Sequence, residues 1–113
     1  MSLNKVIICG KVTDASLKLT YTSEGTPQCA FTLMVEELGR DGSSFKLFVP
    51  VEVFGKQAEP VAEQINAGDV VLVDGKLKWK SWLDKKGEKQ GRLGVMAWAV
   101  SLFLPALSLV SGN

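Results

Sequence analysis

A chain of 113 residues, 46% hydrophobic and 22% charged, is long enough for one domain with its own core and needs no disulfide staples. There is no histidine, and Cys9 and Cys29 form no CxxC pair, so a zinc site is excluded and two reduced, packed thiols are expected, as in a cytosolic protein. The net charge of +1 excludes attraction of a polyanion by bulk charge, so any such role must rest on where the charges sit.

Met1 to Lys5 contains no long apolar run of the secretory kind. Val6 to Val12 is β-branched and nearly continuous in hydrophobicity, which predicts a strand covered on both faces. Gly10 inside it predicts a bulge or sharp bend, as in small barrels. Leu17 to Tyr21 alternates, and Ser23 to Pro27 is a turn. Gln28 to Glu37 is the next strand, with Cys29, Phe31, Leu33 and Val35 on one face. Gly39 to Ser43 has turn chemistry.

Ser44 to Phe54 alternates most clearly. Phe45, Leu47, Val49, Val51 and Val53 make an apolar face, and Lys46, Phe48, Pro50, Glu52 and Phe54 make the other. A strand whose core face is already filled has no packing need for Phe48 and Phe54. Aromatic rings beside a lysine suit base stacking; a helix or neighbouring subunit over them is the plainer alternative. Pro50 predicts an edge or bulge, because it cannot donate to a ladder.

Ala58, Val61, Ala62 and Ile65 fall at helical spacing and predict about three turns. Pro60 belongs in the first turn, which puts the start near Gln57–Glu59, and Gly68 is expected to end the helix. Val70 to Trp82 is a strand whose second half places Lys76, Lys78, Lys80 and Trp82 on one face and Leu77 and Trp79 on the other. A row of ammonium groups ending in an indole fits a single strand of nucleic acid; a solvated amphipathic strand would read the same way. Residues 76–92 hold seven basic residues against Asp84 and Glu88, a local net of +5, while the remainder nets −4. Such a focused patch can steer a polyanion. The last strand runs from Gly91 or Arg92 to Phe103.

The eighteen residues from Leu93 to Val110 carry no charge and approach membrane-spanning length. Gly94, Ser101, Pro105 and Ser108 interrupt them, so a core strand followed by a short apolar tail, residues 105–113, is expected instead of a span. The domain would then be residues 1–104. No GxSxG, phosphate loop or paired-carboxylate constellation accompanies the missing histidine, so neither catalysis nor a cofactor is expected.

Three strand regions, one short helix and two further strands match an all-β, five-stranded Greek-key OB-fold barrel with its helix between strands three and four. Order alone leaves an SH3-like barrel open. Here the residues resemble a known family, the bacterial single-stranded DNA-binding proteins. Asn4-Lys5-Val6-Ile7-Ile8-Cys9-Gly10-Lys11-Val12 is similar to its opening strand, and Val53-Phe54-Gly55-Lys56-Gln57-Ala58-Glu59 to its strand-to-helix signature. Ala67-Gly68-Asp69-Val70-Val71 and Val73-Asp74-Gly75-Lys76-Leu77 resemble its helix exit and fourth strand. Each motif is short; their order and spacing over residues 4 to 103 make the resemblance specific.

The resemblance implies sequence-tolerant single-stranded DNA binding in replication, recombination and repair. Phe48 stands where the family often has a stacking tryptophan, Phe54 at its stacking phenylalanine and Trp82 at its hairpin tryptophan. Lys78 and Lys80 stand at phosphate-contacting positions. Lys46, Lys76, Lys85 and Lys86 join the expected binding set on charge and position. The resemblance also implies a homotetramer, with replication or repair proteins as further partners and a cytoplasmic, nucleoid-associated setting. A tail-less relative, primosomal replication protein B, supplies the alternative: a dimeric interaction module with weaker DNA binding.

Two departures bear on this. Leu38-Gly39 stands where the family usually has another tryptophan. The sequence ends Leu107-Ser108-Leu109-Val110-Ser111-Gly112-Asn113 instead of in the family's acidic tip, as in a truncated chain or a tail-less paralogue. Nothing in the pattern reads a 2′-hydroxyl, so the residues are compatible with DNA and with RNA.

Overall fold

The computed structural model describes residues 1–13 and 18–103. The expected tail and the domain boundary at residue 104 lie outside the described residues. Six strands and one helix follow in the order β1 (Val6–Val12), β2 (Lys18–Tyr21), β3 (Pro27–Leu38), β4 (Ser44–Phe54), α1 (Ala58–Gln64), β5 (Val70–Leu83) and β6 (Lys89–Leu102). The sheet order is β1-β5-β6-β4-β3-β2, and a further pairing of β1 with β3 closes the ring. The expected five-stranded barrel is therefore β1, β3, β4, β5 and β6. Its helix lies between its third and fourth strands, as an OB-fold requires. The sixth strand is β2, which among the described residues pairs with β3, from Lys18 opposite Ala30 to Tyr21 opposite Pro27.

Closure depends on two glycines. β1 pairs with β5 from Val6 to Lys11, then turns to pair with β3 at Lys11 and Val12. A Cβ on Gly10 would lie 2.4 Å from the Met34 carbonyl oxygen, so the bend expected there requires a residue without a side chain. Gly75 stands opposite a break in the β5–β6 register, where Asp74 pairs with Ala99 but Gly75 pairs with Ala97. Trp98 is the extra residue of this bulge. A Cβ on Gly75 would come within 2.1 Å of the Met96 carbonyl oxygen.

The core follows strand parity. Val12, Cys29, Phe31, Leu33, Val51, Val53, Val71, Val73, Val95 and Ala97 are buried inside the barrel. Helix α1 adds Ala58 and Val61, and Ile65, just past its end, completes three of the four residues predicted from helical spacing; Ala62 packs at the margin. Pro60 is in the first turn, where its missing N–H breaks no helical bond. The helix is shorter than expected: a 3₁₀ turn at Gly55–Gln57 precedes it, and it ends at Gln64 because Ile65 is already extended. Gly68, with φ +92°, serves the following turn, where the Asp69 amide donates to the Asn66 carbonyl. Cys9 and Cys29 are free thiols, and burial raises the pKa of Cys29.

Two hairpins run beyond the barrel. The β3–β4 arm holds the outer halves of its strands, and the β5–β6 arm extends from about Leu77 to Leu93. One consequence corrects the reading of β4: Val51 and Val53 are core, but Phe45 and Leu47 share their face and are 47% and 44% exposed. They lie on the arm, past the end of the barrel interior. Pro50 sits one residue before β4 meets β6 at Val51 opposite Val95, so the proline falls at the barrel mouth.

Candidate nucleic-acid interface

On β5 the parity that buries Val71 and Val73 turns Lys76, Lys78, Lys80 and Trp82 outward. Their Cα partners on β6 are Met96, Gly94, Arg92 and Gln90. β6 runs parallel to β4, with Glu52 opposite Met96, so Pro50, Glu52 and Phe54 share the outer face. Gly94 allows the two strands to approach: a Cβ there would be 3.0 Å from the Pro50 carbonyl oxygen.

Four contacts knit this surface together. The Lys78 ammonium stands 5.1 Å from the Phe54 ring centroid, and Lys76 stands 5.7 Å from that of Trp98. The Arg92 guanidinium is 5.9 Å from the centre of the Trp82 ring. Lys80 Nζ lies 3.4 Å from Glu52 Oε2. Cations and ring faces are thus interleaved over three strands. Each exposed cation–π contact contributes about 0.5–1 kcal/mol, and the Lys80–Glu52 pair, with its lysine half exposed and its two charges 3.4 Å apart, adds little more. These contacts are weak enough to be exchanged for a ligand.

The side chains are aimed by backbone features. The Asn4 side-chain amide donates to the Leu77 carbonyl at 2.9 Å and accepts from the Leu77 N–H at 2.8 Å. It acts as one more residue of β1 pairing and fixes the root of the β5–β6 arm. At the tip, Asp84 Oδ1 accepts from the amides of Lys86 and Glu88, both at 2.9 Å, and Oδ2 accepts from Gln90 Nε2 at 3.2 Å. The amide at Glu88 leads the bonds that lower the Asp84 pKa. The bulge at Trp98 brings that indole to Lys76 on the outer face.

The residues expected from sequence divide into three groups. Phe54, Lys76, Lys78, Lys80 and Trp82 occur together on this face. Phe48, 62% exposed, and Lys46 lie on the same face of β4 but out on the β3–β4 arm, opposite Met34 and Glu36. Phe48 is six residues from Phe54, about 20 Å along the strand. Lys85 and Lys86 are in the turn at the tip of the other arm. Three residues of the face are not singled out by the sequence pattern. Arg92 counted only towards local charge, and its place beside Trp82 needs the hairpin register. Trp98 needs the bulge. Glu52 was visible by parity, but its contact with Lys80 crosses β6.

The opposite face of the same arm differs. Leu77, Trp79 and Leu93 are 47%, 60% and 57% exposed. The Trp79 indole lies over Gly91, where a Cβ would be 2.1 Å from the ring.

A closed five-stranded Greek-key barrel with a helix between its third and fourth strands, carrying basic and aromatic groups over one outer face, is an OB-fold of the oligonucleotide-binding type. The chain belongs to the single-strand binding protein family, whose model matches residues 3–103. It is similar to a single-stranded DNA-binding protein of Caldanaerobacter subterraneus subsp. tengcongensis, 31% identical over 98% of this chain and 75% of the relative. A protein of the same name from Aquifex aeolicus is 35% identical over 88% of this chain and 69% of the relative. Single-stranded DNA-binding protein 3 of Clostridium acetobutylicum is 34% identical over 78% of this chain and 62% of its own length.

Among the described residues, no helix is long and apolar enough to cross a membrane.

Proposed function

We propose that this chain binds single-stranded DNA by stacking bases on Phe54, Trp82 and Phe48 and by setting lysines against phosphates. The interleaving of cations and rings across β4, β5 and β6 is the observation that carries the reading. Binding is an exchange. A base that stacks on Phe54 contributes about 1–3 kcal/mol, more than the cation–π contact it replaces. The displaced Lys78 ammonium remains tethered beside the ring, where it can meet the adjoining phosphate. Phosphate neutralisation releases counterions, so affinity falls with salt. No bond is made or broken; the role is to hold a strand.

Several residues act at different distances. Lys76, Lys78, Lys80 and Arg92 serve the central track, Lys46 and Phe48 extend it along the β3–β4 arm, and Lys85 and Lys86 extend it to the hairpin tip. The relatives' names favour this reading over the interaction-module alternative. Self-association is part of the proposal, as a tetramer with a dimer as the alternative. Along Val6 to Gly10, β1 has β5 on one side, and Ile7 is 60% exposed, which leaves a strand edge suited to pairing with another copy. Replication or repair proteins are the proposed further partners, in a cytoplasmic setting.

Tryptophan fluorescence during titration with oligo-dT at several salt concentrations tests the binding reading. Quenching with a steep salt dependence is expected. Flat fluorescence together with no complex in a gel or by anisotropy at low salt would overturn it. Sedimentation of the free protein settles the oligomer.

A further inference from the structure

Glu52 is out of place on a surface built for a polyanion. It stands between Pro50 and Phe54 on the outer face of β4, and its side chain is only 17% exposed. It lies in a shallow cavity of about 240 Å³ whose wall includes Lys18, Thr32, Pro50, Lys80 and Arg92. Gln28 Nε2 donates to Glu52 Oε2 at 3.2 Å, and Lys80 Nζ approaches the same oxygen at 3.4 Å. Both contacts end on Oε2, so the carboxylate is oriented by Gln28 from β3 and Lys80 from β5.

A phosphate is repelled from this spot by the carboxylate and drawn to the cations around it. Of the two uncharged parts of a nucleotide, the base is the one that offers a flat ring and amino donors to Glu52. The cavity is smaller than the roughly 300–1,000 Å³ of sites for drug-sized ligands, which suits one flat ring. Carboxylates only accept hydrogen bonds. A carboxylate accepts from the exocyclic amino group of cytosine, whereas thymine and uracil present a carbonyl oxygen at the corresponding position.

We propose that Glu52 reads one base of the bound strand, favouring cytosine or another amino-bearing base over thymine at the cavity lined by residues of β2 to β6. Gln28 is a positioning residue that holds the carboxylate. The proposal rests on the single-strand reading above: Phe54 and Trp82 supply sequence-tolerant stacking, and Glu52 adds a preference at one nucleotide.

The test compares equal-length dC, dU and dT oligonucleotides by fluorescence anisotropy at fixed salt, with the full chain and its Glu52→Gln and Glu52→Val variants. Oligo-dU separates the base edge from the thymine methyl group. The wild type is expected to bind dC over dU about fivefold more tightly, at the low end of what one base contact gives. Both variants should bring that ratio close to one. Glu52→Gln is nearly isosteric, so it remains informative if Glu52→Val fails to fold by circular dichroism. An unchanged dC-to-dU ratio in Glu52→Gln would overturn the proposal, even if both affinities rose together, because Glu52 would then only restrain Lys80. Failure of wild type to bind any of the three at low salt would sink the single-strand reading itself, and the base reading with it.

Discussion

Trp82 and Trp79 lie three residues apart on the same strand, and they are not equivalent. Trp79 is the more exposed, 60% against 43%. Yet Trp82 has Arg92 beside its ring and shares a face with Lys76, Lys78 and Lys80, while Trp79 lies over Gly91 among leucines. Exposure of an aromatic ring does not by itself make a base-stacking platform. The ring must also stand where cations can hold the phosphates on either side, because stacking and charge neutralisation act on the same nucleotide.

The strongest way to break this contrast is to strip the outer face. The combined change Lys78→Ala, Lys80→Ala and Trp82→Ala should lower oligo-dT affinity by at least about a hundredfold. It should also reduce the salt slope by about 1.4, roughly 0.7 for each lysine on a single strand. Retention of wild-type affinity would mean that DNA, if bound, runs elsewhere. Next in size are the single tryptophans. Trp82→Ala should weaken binding about five- to 150-fold, whereas Trp79→Ala should leave it within about twofold; equal losses in titrations at one salt concentration would erase the distinction between the faces.

Gly91→Ala sharpens the same comparison at smaller cost. The new methyl group collides with the Trp79 indole, which is the outer end of an exposed side chain and can swing aside. A shift in tryptophan emission is expected, with stability changed by less than about 1 kcal/mol in urea melts and DNA affinity unaltered. Loss of DNA affinity here would implicate the Trp79 face.

The smallest effect concerns the tip that carries Lys85 and Lys86. The Asp84 carboxyl titrates below its ordinary value because amides donate to its charged form, that of Glu88 first. A carboxylate depressed in the folded state stabilises fully above the usual aspartate range, near 3.9, and ceases to do so as pH falls through the lowered value. Amide exchange of Lys86 and Glu88 should therefore stay protected at neutral pH and lose protection only under acid. Asp84→Asn should weaken that protection at neutral pH; an unaffected exchange rate would show that the turn is held by its backbone bonds alone.

Much of this was legible in the chain. The alternation of Phe45 to Phe54 gave both faces of β4, including Phe48 and Phe54 outward, because a strand has a period of two and only one side can be buried. The run from Lys76 to Trp82 was legible for the same reason. The spacing of Ala58, Val61 and Ile65 locates helix α1, but Gly68 does not mark its end, which falls at Gln64. That glycine's positive φ serves a later turn, and a sequence cannot say which of two turns a glycine closes. Phe45 and Leu47 look like core in the sequence, since periodicity reveals which face a residue is on but not where along the strand the barrel stops.

By itself, then, the sequence determined the order of elements, the side of each strand that meets the core and the concentration of positive charge between residues 76 and 92. These are local properties, set by side-chain alternation, turn residues and composition. Tertiary structure alone decided which groups became neighbours. Lys78 found Phe54 and Lys80 found Glu52 because β6 runs parallel to β4 between them. Arg92 met Trp82 through the hairpin register, and Trp98 reached Lys76 through a bulge opposite Gly75. Register, closure and bulges depend on how distant strands fit one barrel, a fit that no local pattern encodes.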